Sequence, residues 1–272
     1  MTDSGITSYS IPSGKAVYFF SDVHLGSPFH KDPVALERHL VQWLRSIEQD
    51  ACMLVMLGDI FDYWFEYRDV VPRGFTRFLG QIARMSDLGI EIHFFTGNHD
   101  IWSFGYLEQE LGVKLHTSSW ECLIEGKRFL MAHGDEYDYR SKGFRVIRSV
   151  FHNKFCQKLY ASIHPRWAVG LAHSWSNYSR RKGVEKRYGD DADFVDEQNN
   201  YLISWTKKYL TEAKESHQKP DFFIFGHLHM LVDLMLPEQK RVVILGDWIK
   251  FHSYAKWDGK QFSLNIYEED EI

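Results

Sequence analysis

Five apolar, strand-like runs in this chain end in residues that bind metal ions, and this recurrence constrains the fold more than any other feature. Cys52-Met53-Leu54-Val55-Met56 leads into Leu57-Gly58-Asp59-Ile60-Phe61-Asp62. The other four runs lead into Ser21-Asp22-Val23-His24, Gly97-Asn98-His99-Asp100, Ala132-His133-Gly134-Asp135 and Gly226-His227-Leu228-His229. A carboxylate or imidazole where a buried strand ends, with a glycine beside it for close approach, suits an ion at the carboxyl edge of a sheet. A single Gly-Asp after a strand is more often a turn. Turn chemistry does not account for five of them in order.

The segments between these runs predict how they are joined. Residues 16–21 read as a strand, and Pro33 opens a helical pattern carrying Val34, Leu40, Trp43, Leu44 and Ile47. Phe75, Phe78, Leu79, Ile82 and Met85 form a second helical stripe, closed by Gly89 before a strand at 90–95. Strand–helix–strand–helix–strand order predicts a parallel sheet with right-handed crossovers. The period then changes: 120–124 and 128–132 flank Glu125-Gly126-Lys127, a predicted hairpin.

From 136 to about 216 the pattern turns helical. Ile147, Phe151, Phe155, Leu159 and Ile163 recur every four residues until His164-Pro165 breaks the run. Trp167, Leu171, Trp175 and Tyr178 make a second stripe, and Phe194, Tyr201, Leu202, Trp205 and Tyr209 a third. Strand patterns return at 222–225, 231–236, 241–245 and 262–267. The expectation is one α/β domain of stacked sheets over 1–272, with a helical insertion at about 136–216 between the fourth and fifth ligand segments.

Composition narrows the setting. Three widely spaced cysteines, Cys52, Cys122 and Cys156, sit mostly inside apolar runs and point to buried thiols in a reducing compartment. Residues 1–14 lack the basic-then-apolar pattern of a signal peptide, and no run approaches the ~20 apolar residues of a membrane span. A cytoplasmic protein is expected. Residues 136–187 hold twelve Lys/Arg against three acids, whereas the whole chain is −5, so the rest carries −14. A basic segment in an acidic protein suggests an anionic partner, with a solvated helical face as the plain alternative.

Seven residues form the candidate ligand set: Asp22, His24, Asp59, Asn98, His133, His227 and His229. Hard oxygens mixed with imidazole nitrogens suit Mn²⁺, Fe²⁺, Zn²⁺ or Mg²⁺, and the lack of thiolates argues against a structural zinc finger. Seven ligands exceed one tetrahedral site but fit two ions sharing a carboxylate. Two ions roughly 3.5–4 Å apart can clamp a phosphate and lower the pKa of a water between them. His227 and His229 are two apart, as are Asp22 and His24, so each pair would share one face of an extended segment.

These motifs in this order, from Asp22 to His229, resemble the calcineurin-like metallophosphoesterase superfamily. The resemblance implies a four-layer α/β/β/α sandwich holding two divalent ions, manganese foremost. Asp59 would bridge them, with Asp22, His24 and His229 completing one site and Asn98, His133 and His227 the other. His99 would protonate the leaving oxygen or bind phosphate, and Asp62 would orient it.

Gly58-Asp59-Ile60-Phe61-Asp62-Tyr63-Trp64, His133-Gly134-Asp135, Leu245-Gly246-Asp247-Trp248, His164-Pro165 and Trp175-Ser176-x-x-Ser179-Arg180 are similar to bacterial UDP-2,3-diacylglucosamine pyrophosphatases. That likeness implies attack by a hydroxide between the ions on a nucleotide-linked lipid sugar. The products would be UMP and 2,3-diacylglucosamine 1-phosphate, in lipid A synthesis at the inner-membrane surface. Nucleic acid is not an expected partner. Two departures stand out: His99 replaces the arginine of the best-known branch, and Ser141 replaces an acid, with Asp138 nearby.

The insertion fits a lipid-phosphate substrate: an apolar stripe flanked by Arg145, Arg148, Lys154 and Lys158 reads as an interfacial helix or a lid. Asn98, His99, Asp138 and the cluster Arg180-Arg181-Lys182 are the candidate substrate contacts. A helical hairpin packing its own aromatics is the competing reading of the stripe. A phosphodiesterase acting on nucleic acid or cyclic nucleotides is the competing enzyme, and a non-catalytic scaffold the competing class.

Overall fold

The computed structural model describes residues 6–28, 30–138, 142–168, 170, 200–213 and 219–268. Their apolar residues build two six-stranded sheets packed face to face. One sheet has the order β12-β11-β2-β3-β4-β5, from Phe262–Ile266, Ser253–Trp257, Ala16–Phe20, Ala51–Leu57, Glu91–Phe95 and Lys114–His116. The other runs β1-β6-β7-β8-β10-β9, from Thr7–Tyr9, Trp120–Ile124, Lys127–Ala132, Phe222–Phe225, Lys240–Leu245 and Leu231–Leu236.

Strand periodicity sorts the side chains into three cores. Val17, Phe19, Met53, Val55 and Leu57 face the other sheet, against Phe129, Met131, Ile224 and Val243. Their neighbours Tyr18, Phe20, Leu54 and Met56 face outward onto helices α1 (Pro33–Ile47) and α2 (Thr76–Asp87) through Leu40, Trp43, Leu44, Phe78 and Ile82. Burial on both faces is why β2 and β3 read as unbroken apolar runs. Each such large side chain contributes ~1.5–3 kcal/mol by leaving water, so the sandwich depends on both faces being covered.

Local chemistry fixes the helix ends. Asp32 Oδ1 accepts from Val34 N at 3.0 Å and Ala35 N at 2.9 Å, capping α1 ahead of Pro33. Helix α2 has no side-chain cap of its own; Glu37 of α1 accepts from Arg77 N and Phe78 N instead. Helix α3 (Tyr106–Leu111) leads into β5. Glu125 and Gly126, at φ 51° and 72°, make the two-residue hairpin turn between β6 and β7.

The helical region differs from its expectation. The four-residue stripe does not run along one helix. Helix α4 (Lys142–His152) ends before Asn153, whose side chain accepts from Phe155 N and Cys156 N and starts α5 (Lys154–Ala161). Phe155 and Leu159 are exposed, while Phe151 is half-buried under Trp102 at a ring distance of 5.0 Å. Helix α6 (Tyr201–Glu212), which falls inside the expected insertion, packs Tyr201, Leu202 and Ile203 onto Phe223, Phe225 and Ile244. It is therefore the outer helical layer of the second sheet. The stripe from Leu171 to Tyr178, and Phe194, lie outside the described residues. Among the described residues no helix is long and apolar enough to cross a membrane.

Strands β2, β3 and β4 are parallel, and so are β7, β8 and β10. Within each sheet the carboxyl ends of these strands therefore share one edge, and loop hydrogen bonds continue the pairing past both edges. Asp22 N donates to Gly58 O at 3.1 Å, His24 N to Asp59 O at 3.0 Å, and Gly226 N to His133 O at 3.0 Å. Trp248 N donates to Asp22 O at 3.1 Å and ties the two edges together.

Candidate metal centre

The seven expected ligands come together where these edges join. Asp22, His24 and His229 form one cluster, and Asp59, His133 and His227 another. Asp59 stands between them: its Oδ2 is 3.7 Å from His24 Nε2 and 3.4 Å from His133 Nε2. Asn98 Oδ1 lies 3.3 Å from His133 Nε2 on the second side.

The backbone bends sharply to do this. Asp22, His24, Asp59, His227 and His229 all take φ between 50° and 68°, the left-handed region that non-glycine residues rarely adopt. His227 and His229 therefore reach the site from a turn beyond β8, not from one face of a strand, and they go to different clusters. Glycine permits the crowding: a Cβ on Gly226 would stand 2.6 Å from Asp22 Oδ2, and one on Gly97 would overlap Asp59 Oδ1.

Ring orientation shows which nitrogens are available. His133 Nδ1 donates to Leu57 O at 2.7 Å, leaving the lone pair on Nε2. His229 Nδ1 donates to Asp247 Oδ2 at 3.1 Å, which directs Nε2 towards Asp22 Oδ1 at 3.6 Å. Carboxylates and carbonyls behind imidazoles are the usual outer support of metal-binding histidines. Asp247 is itself held by Ile249 N, Lys250 N and Phe251 N.

The donor set fits cations. Asp22 Oδ1 is fully buried and has no hydrogen-bond partner among the described residues. His227 Nδ1 faces His133 Nε2 at 3.2 Å, so lone pairs converge on one point with Asp59 Oδ2 and Asn98 Oδ1. Burial, above all, raises the Asp22 pKa, with the Asp59 charge adding to it. Burial also opposes a charge on Asp59, but His133, His99 and His24 hold its carboxyl well below the ordinary range. His133 is raised well above the ordinary imidazole value, by Asp59 foremost, against the cost of burial. Divalent cations would supply the positive charge that the histidine protons otherwise provide.

The expected catalytic pair is present with a changed contact. His99 Nδ1 lies 2.9 Å from the backbone carbonyl oxygen of Asp62, while the Asp62 carboxylate is 3.9 Å away. That carboxylate sits nearer His24 Nδ1, at 3.4 Å. His99 also lies within ligand distance of His24 and Asp59. Asp138 follows the turn after His133, half-buried, its N–H bonded to Asp135 O at 3.2 Å. Arg180, Arg181, Lys182 and Ser141 lie outside the described residues.

Two acids that the sequence motifs contain, without a role assigned to either, support the site. Asp100, fully buried, accepts from Gly97 N at 2.7 Å and Ile60 N at 2.8 Å, with Asp59 N and Phe61 N at 3.3 Å. It locks the two ligand loops together; burial and the Asp59 charge push its pKa up to about 7 against those N–H groups. The other is Asp247. Its signal was present in Leu245-Gly246-Asp247, a Gly-Asp after an apolar run like Gly58-Asp59.

Comparison with known proteins finds the following likenesses. The family model described as calcineurin-like phosphoesterase matches residues 15–231. A curated Porphyromonas gingivalis protein, UDP-2,3-diacylglucosamine hydrolase, is 47% identical over 94% of this chain and 98% of its own. A curated Neisseria meningitidis protein of the same name is 27% identical over 86% of this chain and 90% of its own. Among solved structures, a dimetal phosphatase from Danio rerio covers 94% of this chain and 99% of its own at 16% identity, with a TM-score of 0.42.

Proposed function

Because the chain belongs to the calcineurin-like phosphoesterase family, we propose that it is a two-metal hydrolase of UDP-2,3-diacylglucosamine, releasing UMP and 2,3-diacylglucosamine 1-phosphate. The observation that carries the substrate is the 47% identity, over nearly the whole of both chains, to the curated hydrolase of that name. The converging donor set carries the reaction class.

In this reading Asp22, His24, Asp59 and His229 hold one ion, and Asp59, Asn98, His133 and His227 the other, manganese being our choice of metal. Bound ions would stabilise charge on the phosphoryl oxygens and lower the pKa of an attacking water. The protein's own groups do the rest. Leu57 O and Asp247 fix the tautomers of His133 and His229, and Asp100 sets the spacing of the loops that carry Asp59 and Asn98. His99, half-buried at the rim and held by the Asp62 carbonyl oxygen, presents Nε2 to the leaving phosphate oxygen as proton donor.

The described lid supports a lipid on the other side of the bond. Helices α4 and α5 dock on the motif loops through Trp102 Nε1 to Phe151 O, 3.2 Å, and Tyr63 OH to Tyr160 OH, 3.2 Å. Their outer face leaves Val146, Val150, Phe155 and Leu159 exposed, with Trp167 beyond, a surface suited to acyl chains or to the inner face of a membrane. We accordingly place the enzyme in the cytoplasm, peripheral to the inner membrane. The test is a manganese-supplemented assay of UDP-2,3-diacylglucosamine beside other nucleotide sugars, cyclic nucleotides and single-stranded DNA. Preferred release of UMP supports the reading; faster turnover of a cyclic nucleotide or of DNA contradicts it.

A further inference from the structure

Helix α4 brings a cationic side chain to the edge of the metal centre. Arg148 Nε donates to Asp135 Oδ2 at 2.7 Å, and Asp135 is buried two residues past His133. The guanidinium walls a recess shared with Thr96, Gly97, Thr117, Ser118, His133 and His152, and with the acids Asp135 and Glu136. Its Nε is one of five N–H donors. Among the described residues Nη1 and Nη2 make no hydrogen bond, and the side chain is 30% exposed. One turn along α4, His152 Nε2 is buried, also without a hydrogen-bond partner among the described residues.

The recess holds about 10 Å³, room for one oxygen-sized group and not for a base or a sugar. It opens beside ligand His133 and beside Gly97, which precedes ligand Asn98. With Asp135 already paired to Nε, the Nη donors of Arg148 and the hydroxyls of Thr96, Thr117 and Ser118 are the groups here that could meet a phosphoryl oxygen. We infer that Arg148 is a phosphate-binding residue, its Nη donors contacting a phosphoryl oxygen of the substrate on the Asn98–His133–His227 side. Asp135 holds the guanidinium in that position. Pairing with Asp135 offsets much of its charge, so the contribution is mainly directional hydrogen bonding. Since Arg148 rides on α4, docking of that helix and binding of phosphate are linked. The inference rests on a phosphoryl substrate and not on which ester carries it.

The experiment uses the full chain loaded with manganese, as wild type, Arg148→Gln and Arg148→Lys. Inorganic phosphate affinity is measured by calorimetry and by competition against bis(p-nitrophenyl) phosphate, together with KM and kcat for UDP-2,3-diacylglucosamine. Arg148→Gln is expected to weaken phosphate about tenfold and to raise KM, with metal content and thermal midpoint near wild type. Arg148→Lys should recover part of the loss, since a point charge replaces the planar fork. Unchanged phosphate affinity in Arg148→Gln overturns the inference, and a lowered midpoint alongside it assigns Arg148 to docking alone. If Arg148→Gln does not fold, equal phosphate affinity in Arg148→Lys and wild type overturns it instead. A wild type that ignores UDP-2,3-diacylglucosamine but binds phosphate through Arg148 removes the substrate reading and leaves this one standing.

Discussion

Asp59 Oδ2 lies 3.4 Å from His133 Nε2, and the two residues come from different sheets: Asp59 follows β3 and His133 follows β7. The candidate metal centre is thus the seam of the sandwich, built where two parallel strand edges face each other. A one-residue slip of either sheet would displace the turns that carry its ligands. Register and chemistry are specified together.

Asp247→Asn should loosen His229 without unfolding the chain. Asparagine can still accept from the N–H groups of residues 249–251 through Oδ1, but it puts an amide where Oδ2 accepts from His229 Nδ1. Losses of about 10–100-fold in metal affinity are typical of such outer partners. Metal titration followed by calorimetry checks this; wild-type affinity would make Asp247 a loop cap only.

His99→Ala should lose rate and keep both ions. The imidazole is fixed by the Asp62 carbonyl oxygen at 2.9 Å, and proton donation of this kind contributes about 10²–10⁴-fold. Elemental analysis beside kcat decides the role. If one metal leaves with the activity, His99 is a ligand, a place its distance to His24 and Asp59 allows.

Much of this candidate centre was legible because its residues sit at the ends of strands buried on both sides, where apolar runs stop abruptly. What was missed had weaker local signals. Strand β11, Ser253–Trp257, alternates Ser253, Ala255 and Trp257 inward with Tyr254 and Lys256 outward, a five-residue pattern broken by polar residues. Strands β1 and β5 have three residues each and exist only through pairing with β6 and β4. The break at Asn153 was hidden because a cap signal inside a four-residue repeat looks like helix interior. Helix α6 was assigned to the insertion because an amphipathic stripe does not say which sheet it will cover.

Phe155→Ser with Leu159→Ser should leave stability near wild type, because both side chains are already exposed. The pair should weaken the diacylated substrate while sparing a short soluble phosphodiester, each buried methylene being worth ~0.8 kcal/mol. Ratios of kcat/KM on the two substrates check this. Equal losses on both would remove the acyl role of the exposed face.

The chain should lose stability in mild acid through His93 and His116. His93 Nε2 donates to Glu91 at 2.9 Å, and its Nδ1 lies 2.8 Å from His116 Nε2, an arrangement that two protonated rings cannot make. Burial foremost lowers both pKa values to about 4, from an ordinary 6.5. Depressed histidines give stability that is full above pH 6.5 and is lost as pH falls towards 4. Urea midpoints across that window should fall less steeply in a His93→Gln, His116→Gln double variant. Parallel slopes would place the acid sensitivity elsewhere.

The most direct test is a titration of chelator-treated protein with Mn²⁺, following UMP released from UDP-2,3-diacylglucosamine against metal bound per chain. An Asp59→Asn variant is carried through the same titration. Loss of the shared carboxylate leaves two cations under-ligated and mutually repelling. The account predicts activity rising to a plateau at two equivalents in the wild type, with neither two-ion occupancy nor UMP release in the variant. A plateau at one equivalent, UMP release without metal, or two ions retained by Asp59→Asn would contradict it.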